Sequence, residues 1–123
     1  VLPVKETVKH WLASPRSAVA FLIHAATLDT SPLGARRTLN MPGVAATVSD
    51  QLAALRRVAG AEAEALIDRR PDTAIEAIIA GWPKSFSPEQ ASSLGFVAES
   101  TVDELIEVYL TDDAPKLAPD RQP

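Results

Sequence analysis

Apolar side chains are densest between Ala18 and Leu28, where Val19, Phe21, Leu22, Ile23, Ala25 and Ala26 leave little polar face. That pattern predicts a helix packed on most sides. Ser14 fits its N-cap and Pro15 its first position, with φ preset for helix, so the helix runs from Pro15 to about Leu28. Before it, Val1–Val4 reads as a short edge strand, because Pro3 cannot serve a central one. Lys5–Lys9 reads as a polar loop and His10–Ala13 as extended chain. After it, Asp29–Arg36 carries Pro32 and Gly34 and reads as a loop. Arg37–Met41 reads as a strand stopped by Pro42-Gly43.

A second helix is signalled by Thr47 with Asp50 at the capping-box position. Leu52, Leu55, Val58 and Ala59 form its stripe, Arg56 and Arg57 suit its C-terminal end, and Gly60 stops it. Ala61–Arg70 is helical by propensity but could finish as a strand. Asp72 caps a short helix stopped at Gly81. Ser87-Pro88-Glu89-Gln90 is a full start signal for a helix ending at Gly95. Ser100 or Thr101 opens the last helix, with Val102, Leu105, Ile106 and Tyr109 facing inward. Residues 113–123 are proline-rich and read as a flexible tail. The expected class is an α/β fragment, predominantly helical, with two or three short strands.

Composition narrows the chemistry. The 123 residues suffice for one domain, and a net charge of -4 argues against a general nucleic-acid binder. The absence of cysteine excludes disulfides, thiolate metal sites and a cysteine nucleophile within the chain. The longest apolar run, Ala18–Ile23, is far short of a membrane span, and no signal peptide is visible. The expected compartment is the cytoplasm. The chain opens on Val-Leu-Pro-Val and its single methionine is Met41, which suggests a truncated or processed product.

The chemical motifs are few. His10 and His24 are too separated for a shared metal site, and His24 reads as a hydrogen-bonded structural residue. No metal is expected, and no phosphate-cradling glycine loop or nucleophile elbow occurs. Asp103, Glu104 and Glu107 read as a solvated helix face. Ser14-Pro15-Arg16 differs, because a cation in a first helical turn faces the positive end of the helix dipole. The capping serine, the free first-turn amides and the guanidinium fork together suit a carboxylate or phosphate. Trp11 and His10 could wall such a site. Alternatively, Arg16 pairs with an acidic side chain elsewhere in the chain.

The strings H-W-L-A-S-P-R-S-A-V-A-F-L-I-H-A-A-T-L, L-G-A-R-R-T-L-N-M-P-G and T-V-S-D-Q-L-A-A-L-R-R-V-A-G resemble the C-terminal part of extended short-chain dehydrogenases, the NAD-dependent epimerase/dehydratase family. I-I-A-G-W-P-K-S-F and A-S-S-L-G-F fit the same region. Within the family, W-x-x-S-P-R, the N-x-P-G turn and W-P-x-x-F resemble the subgroup that oxidises small sugar acids such as D-erythronate. The resemblance implies a C-terminal substrate-side domain over residues 1–112, with R-T-L-N-M-P-G as a late strand of a large parallel sheet. It implies that NAD is bound by an N-terminal nucleotide-binding domain absent here. The family's catalytic Y-x-x-x-K is not present: the single tyrosine, Tyr109, is followed four residues on by Asp113. No catalytic or cofactor-binding residue can therefore be carried over, and the chain is expected to be inactive alone.

A sugar-acid substrate carries a carboxylate. The resemblance thus joins the anion argument to name Arg16, Ser14, His10 and Trp11 as substrate-binding residues. Two other readings remain open: part of a nucleotide-sugar epimerase or dehydratase, and a freestanding helical interaction module. The expected partners are the small hydroxy acid, the chain's own nucleotide-binding domain and further copies in a homo-oligomer, with no nucleic acid and no membrane. Unpartnered strand edges and an uncovered apolar helix favour self-association. Light scattering of the chain at high concentration should therefore give a mass above that of one copy, and a clean monomer would contradict this.

Overall fold

The computed structural model describes residues 1–114; of the expected tail over 113–123, residues 115–123 lie outside the described residues. The architecture is mostly helical with one two-stranded antiparallel sheet. Strand β1 (Lys9–Leu12) leads through Ser14 into helix α1 (Pro15–Thr27). A single 3-10 turn (Ser31–Leu33) follows. Strand β2 (Val44–Thr47) runs directly into helix α2 (Val48–Ala59), and α3 (Ala61–Ala65), α4 (Thr73–Ala80), α5 (Glu89–Ser93) and α6 (Val102–Asp112) complete the order.

The sheet pairs Lys9 with Thr47, His10 with Ala46, Trp11 with Ala45 and Leu12 with Val44. This corrects the expected strand at Arg37–Met41, which is irregular chain. Val44–Thr47 has the whole of β1 as a ladder partner, whereas 37–41 has no strand partner among the described residues. Its one sheet-side link is the Met41 carbonyl, which accepts from the Trp11 indole Nε1 at 3.2 Å. Val1–Val4 is likewise no full strand. It makes an isolated parallel bridge, Leu2 to Arg69, secured by Leu2 N to Asp68 O at 2.7 Å and Arg70 N to Leu2 O at 2.9 Å. The ambiguous 61–70 stretch is therefore helix first and bridge second.

Helix ends follow the sequence chemistry closely. Thr47 and Asp50 form the expected capping box on α2, and Thr101 with Glu104 forms another on α6. Asp72 caps α4 by accepting from Ala74 N and Ile75 N. Helix α5 departs from expectation: Pro88 rather than Ser87 occupies the cap position, with no side-chain cap. Two further α2 amides are met by the preceding loop, Val48 N to Val8 O and Ser49 N to Glu6 O, both 2.9 Å. That loop fastens the N-terminal segment to α2, where Val4, Val48 and Leu52 form the buried core with Leu2, Val8, Ile67 and Ile79 around it. Helix α2 also packs against α3 and α6.

Helix α1 is not enclosed as its composition suggested. Phe21 and His24 pack inward, but Leu22 remains 74% exposed and Val19 and Ile23 are also open. The expected role for His24 holds: its Nε2 lies 2.8 Å from the Leu94 carbonyl, and its ring stands edge-on to Phe96 at 4.6 Å.

Gly43 is required by a close approach. A Cβ there would lie 2.6 Å from the Leu12 carbonyl oxygen and 2.8 Å from Trp11 Nε1. Gly43→Ala should therefore push Trp11 off its Met41 contact and cost roughly 1–3 kcal/mol. Denaturant titration checks the stability, and a shifted tryptophan emission checks the displacement; an unchanged midpoint would contradict the tight fit.

Candidate functional site

The β1–α1 junction is where the sequence places its chemistry, so each side chain there can be followed outward. Ser14 has extended backbone and caps α1 by accepting from Ser17 N at 3.0 Å. It is only 3% exposed. Its backbone N donates to Glu99 Oε2 at 3.2 Å, and its hydroxyl donates to Glu99 Oε1. Ser17 Oγ donates to both Glu99 oxygens at 3.0 Å. An anion does sit at the start of α1, and it is the chain's own carboxylate, held by two serines and one amide. Partial burial pushes the Glu99 pKa up, but the hydrogen bonds from Ser14 and Ser17 outweigh it and hold the carboxyl below its ordinary range.

Arg16 has a partner too. Its Nε lies 2.8 Å from Asp112 Oδ2 and its Nη2 2.6 Å from Asp112 Oδ1, a fork-to-carboxylate pair linking α1 to the end of α6. The hydrogen bond and the charge of Asp112 raise the Arg16 pKa. The shallow recess beside it is walled by Glu99, Glu104 and Glu107. One cation among those carboxylates is a poor receiver for a further anion. The expected Ser14–Arg16 anion site is thus met internally, by Glu99 for the serine and Asp112 for the arginine.

Trp11 and His10 diverge because neighbours on a strand point to opposite faces. His10 lies with Leu12 in an apolar cleft of about 580 Å³ against Val48, Leu52 and α6, which includes the inward-facing Leu105 and Ile106. Its Nε2 is buried there without a hydrogen-bond partner among the described residues, as is Gln51 Nε2. Trp11 lies on the other face. Its ring meets Phe86 edge-on at 5.9 Å, with Trp82, Pro83 and the edge of His10 completing an open aromatic recess of about 230 Å³. A second hollow beyond Trp11 is lined by Phe21, Leu39, Asn40 and Met41. Of the four expected residues, Ser14 is taken up at α1's own start and Arg16 lies apart with Asp112, while His10 and Trp11 share the aromatic recess, His10 also lining the apolar cleft.

Sequence reasoning missed Glu99, Asp112, Trp82 and Phe86 as neighbours of the junction. No local pattern could have found the two acids, since their partners are far away along the chain. The aromatic pair was visible as W-P-x-x-F, but only as a family likeness. Two other surface arginines are paired as well: Arg57 bonds Asp103 at 2.8 and 3.0 Å, and Arg69 bonds Glu6 at 2.6 Å. Among the described residues, no group of three or more His, Asp or Glu side chains could hold a metal, and no helix is long and apolar enough to cross a membrane. The start of α1, where a pyrophosphate would seek the positive helix end, faces Glu99, which takes the Ser14 amide and both serine hydroxyls and is a poor neighbour for a dinucleotide.

Comparison with known proteins places this surface. No family model matches the chain. It is 37% identical over 110 residues to a D-erythronate dehydrogenase of Cupriavidus necator, covering 89% of this chain and 34% of that protein. It is 36% identical over 113 residues to a D-erythronate dehydrogenase of Haemophilus influenzae, covering 92% of this chain and 36% of that one. The chain therefore spans about a third of the length of these curated relatives. Among solved structures, a nucleoside-diphosphate-sugar epimerase from Agrobacterium tumefaciens matches with a TM-score of 0.89 and 50% identity, over 93% of this chain and 33% of that one. The resemblance to D-erythronate dehydrogenases holds in sequence, and the epimerase is similar both in sequence, at the higher identity, and in fold.

The Glu99 contacts set a pH dependence. A carboxyl with a depressed folded pKa adds stability above its unfolded value of about 4.3, and loses it as pH falls through the lower folded value. The chain should lose stability below about pH 4. Glu99→Gln should be roughly 1–3 kcal/mol less stable near neutrality, with a flatter acid limb. Thermal melts across pH check both, and superimposable profiles would remove Glu99 from the fold's support.

Proposed function

We propose that this chain is the substrate-side portion of an NAD-dependent dehydrogenase acting on a small sugar acid such as D-erythronate, and that it works only when joined to a nucleotide-binding domain. The observation that carries this reading is the alignment to two D-erythronate dehydrogenases along about nine-tenths of the chain. In this reading NAD supplies the hydride chemistry and is held by the nucleotide-binding domain, since the residues here offer it no cradle. The catalytic tyrosine and lysine come from that domain as well, and this chain's task is to bind and orient the substrate. The exposed apolar side chains of α1, Val19, Leu22 and Ile23, suit a surface covered in the whole protein.

The substrate contact in this reading falls to the strand face bearing Trp11 rather than to Arg16 and Ser14. Ser14 is buried against Glu99, and the Arg16 fork is filled by Asp112. A second reading, a nucleoside-diphosphate-sugar epimerase, is favoured by the 50% identity of the solved structure bearing that title.

Assay of the whole protein separates the two. With NAD, D-erythronate should give NADH, and a nucleotide sugar should show no inversion; the opposite pattern would overturn the dehydrogenase reading. In the same protein Arg16→Ala should lower the melting temperature through loss of the Asp112 pair and leave KM unchanged. A rise in KM of about tenfold or more would make Arg16 the carboxylate contact after all.

A further inference from the structure

Lys9 shares its strand face with Trp11, because side chains two apart on a strand project to the same side. Lys9 lines a recess of about 270 Å³ together with Lys5, Thr7, Glu76 and Lys84. The carboxylate in this recess is already used: Glu76 accepts from the Lys5 backbone N at 3.1 Å and faces the Lys5 ammonium at 3.5 Å. Lys9 and Lys84 make no ion pair among the described residues, although the Lys9 charge, after the Thr47 hydrogen bonds, helps lower the Asp50 carboxyl pKa. The recess thus gathers two cations without a contact partner among the described residues, on a chain whose net charge is -4. That is the reverse of the Arg16 recess, where carboxylates outnumber the cation.

The cationic recess adjoins the aromatic one. Lys9 and His10 are consecutive, as are Pro83 and Lys84, and each pair has one member lining either recess. Both walls therefore cross from one recess to the other without interruption. The aromatic side offers the Trp11 ring, fixed by its indole bond to Met41 O, with the exposed rings of Trp82 and Phe86 beside it. Ring faces accept the C–H side of a short polyhydroxylated chain. Lysine ammonium groups accept a carboxylate at its end without needing a fixed fork.

We propose that these two recesses form one binding site for a small hydroxylated anion, with its carboxylate at Lys9 and Lys84 and its carbon chain along Trp11, Trp82 and Phe86. The site stands on the geometry; its assignment to a sugar acid rests on the dehydrogenase reading above. It names a specificity-determining pair, Lys9 and Lys84, that neither the motifs nor the Arg16 argument indicated.

The chain's two tryptophans, Trp11 and Trp82, both line the aromatic recess, so intrinsic fluorescence reports on it directly. The chain is titrated with D-erythronate, with erythritol as its uncharged counterpart and with inorganic phosphate. D-Erythronate should change the emission saturably, with erythritol at least about tenfold weaker. The Lys9→Ala/Lys84→Ala double variant should lose that preference; both lysines are exposed, and circular dichroism confirms its fold. Saturable binding of D-erythronate that the double variant leaves intact overturns the site while sparing the dehydrogenase reading. Phosphate binding with the same lysine dependence, and none of D-erythronate, supports an anion recess and overturns its assignment to a sugar acid. No saturable change with either anion overturns the site.

Discussion

One carboxylate organises the junction on which the rest of this molecule turns. Glu99 reaches across to the first turn of α1 and takes the Ser14 amide, the Ser14 hydroxyl and the Ser17 hydroxyl together. An α-helix start presents free amides and a positive dipole end, and an acid is the natural group to satisfy both. Because the acid comes from just before α6, the same contact fixes the second half of the chain against the first. The Arg16–Asp112 fork repeats the link at the other end of α6. Helix α1 is thus held at its start by side chains from one region, while its apolar flank at Val19, Leu22 and Ile23 stays uncovered.

That constraint decides what the surroundings can do chemically. With the helix start and the guanidinium both filled from within, the junction has no spare anion-binding capacity on the α1 side. Strand β1 then divides the remaining groups by its alternation. His10 and Leu12 turn to the apolar cleft against α2 and α6, while Lys9 and Trp11 turn to the loop carrying Trp82, Lys84 and Phe86. Gly43 lets the chain pass close enough to Trp11 to hold its indole in place. Cations without an ion-pair partner among the described residues, and aromatic faces, therefore collect on one side of a short strand.

The legible parts of the sequence were those written in local chemistry. Ser14, Thr47, Asp72 and Thr101 all cap helices where a short polar residue precedes an apolar run, because capping needs only a few consecutive residues. His24 could be read as structural from its apolar neighbours. The strand at Arg37–Met41 could not be judged from within itself, since a strand exists only where another can pair with it, and β1 pairs with Val44–Thr47. Arg16 shows the same limit at the site. Its position in a first helical turn correctly demanded an anion, but whether that anion is a ligand or Asp112 depends on a residue at the far end of the chain. Lys9 stands in no motif and Lys84 is only a variable position of W-P-x-x-F, so it is their shared recess that gives them meaning.

Whether substrate meets this chain on the Lys9–Trp11 face of β1 is read most directly from a residue-resolved NMR shift map of the chain on addition of D-erythronate. Shifts should concentrate at Lys9, the Trp11 and Trp82 indoles, Lys84 and Phe86, with Arg16 and Ser14 unmoved. Shifts centred on Arg16 and Asp112, with the aromatic recess silent, would contradict that placement.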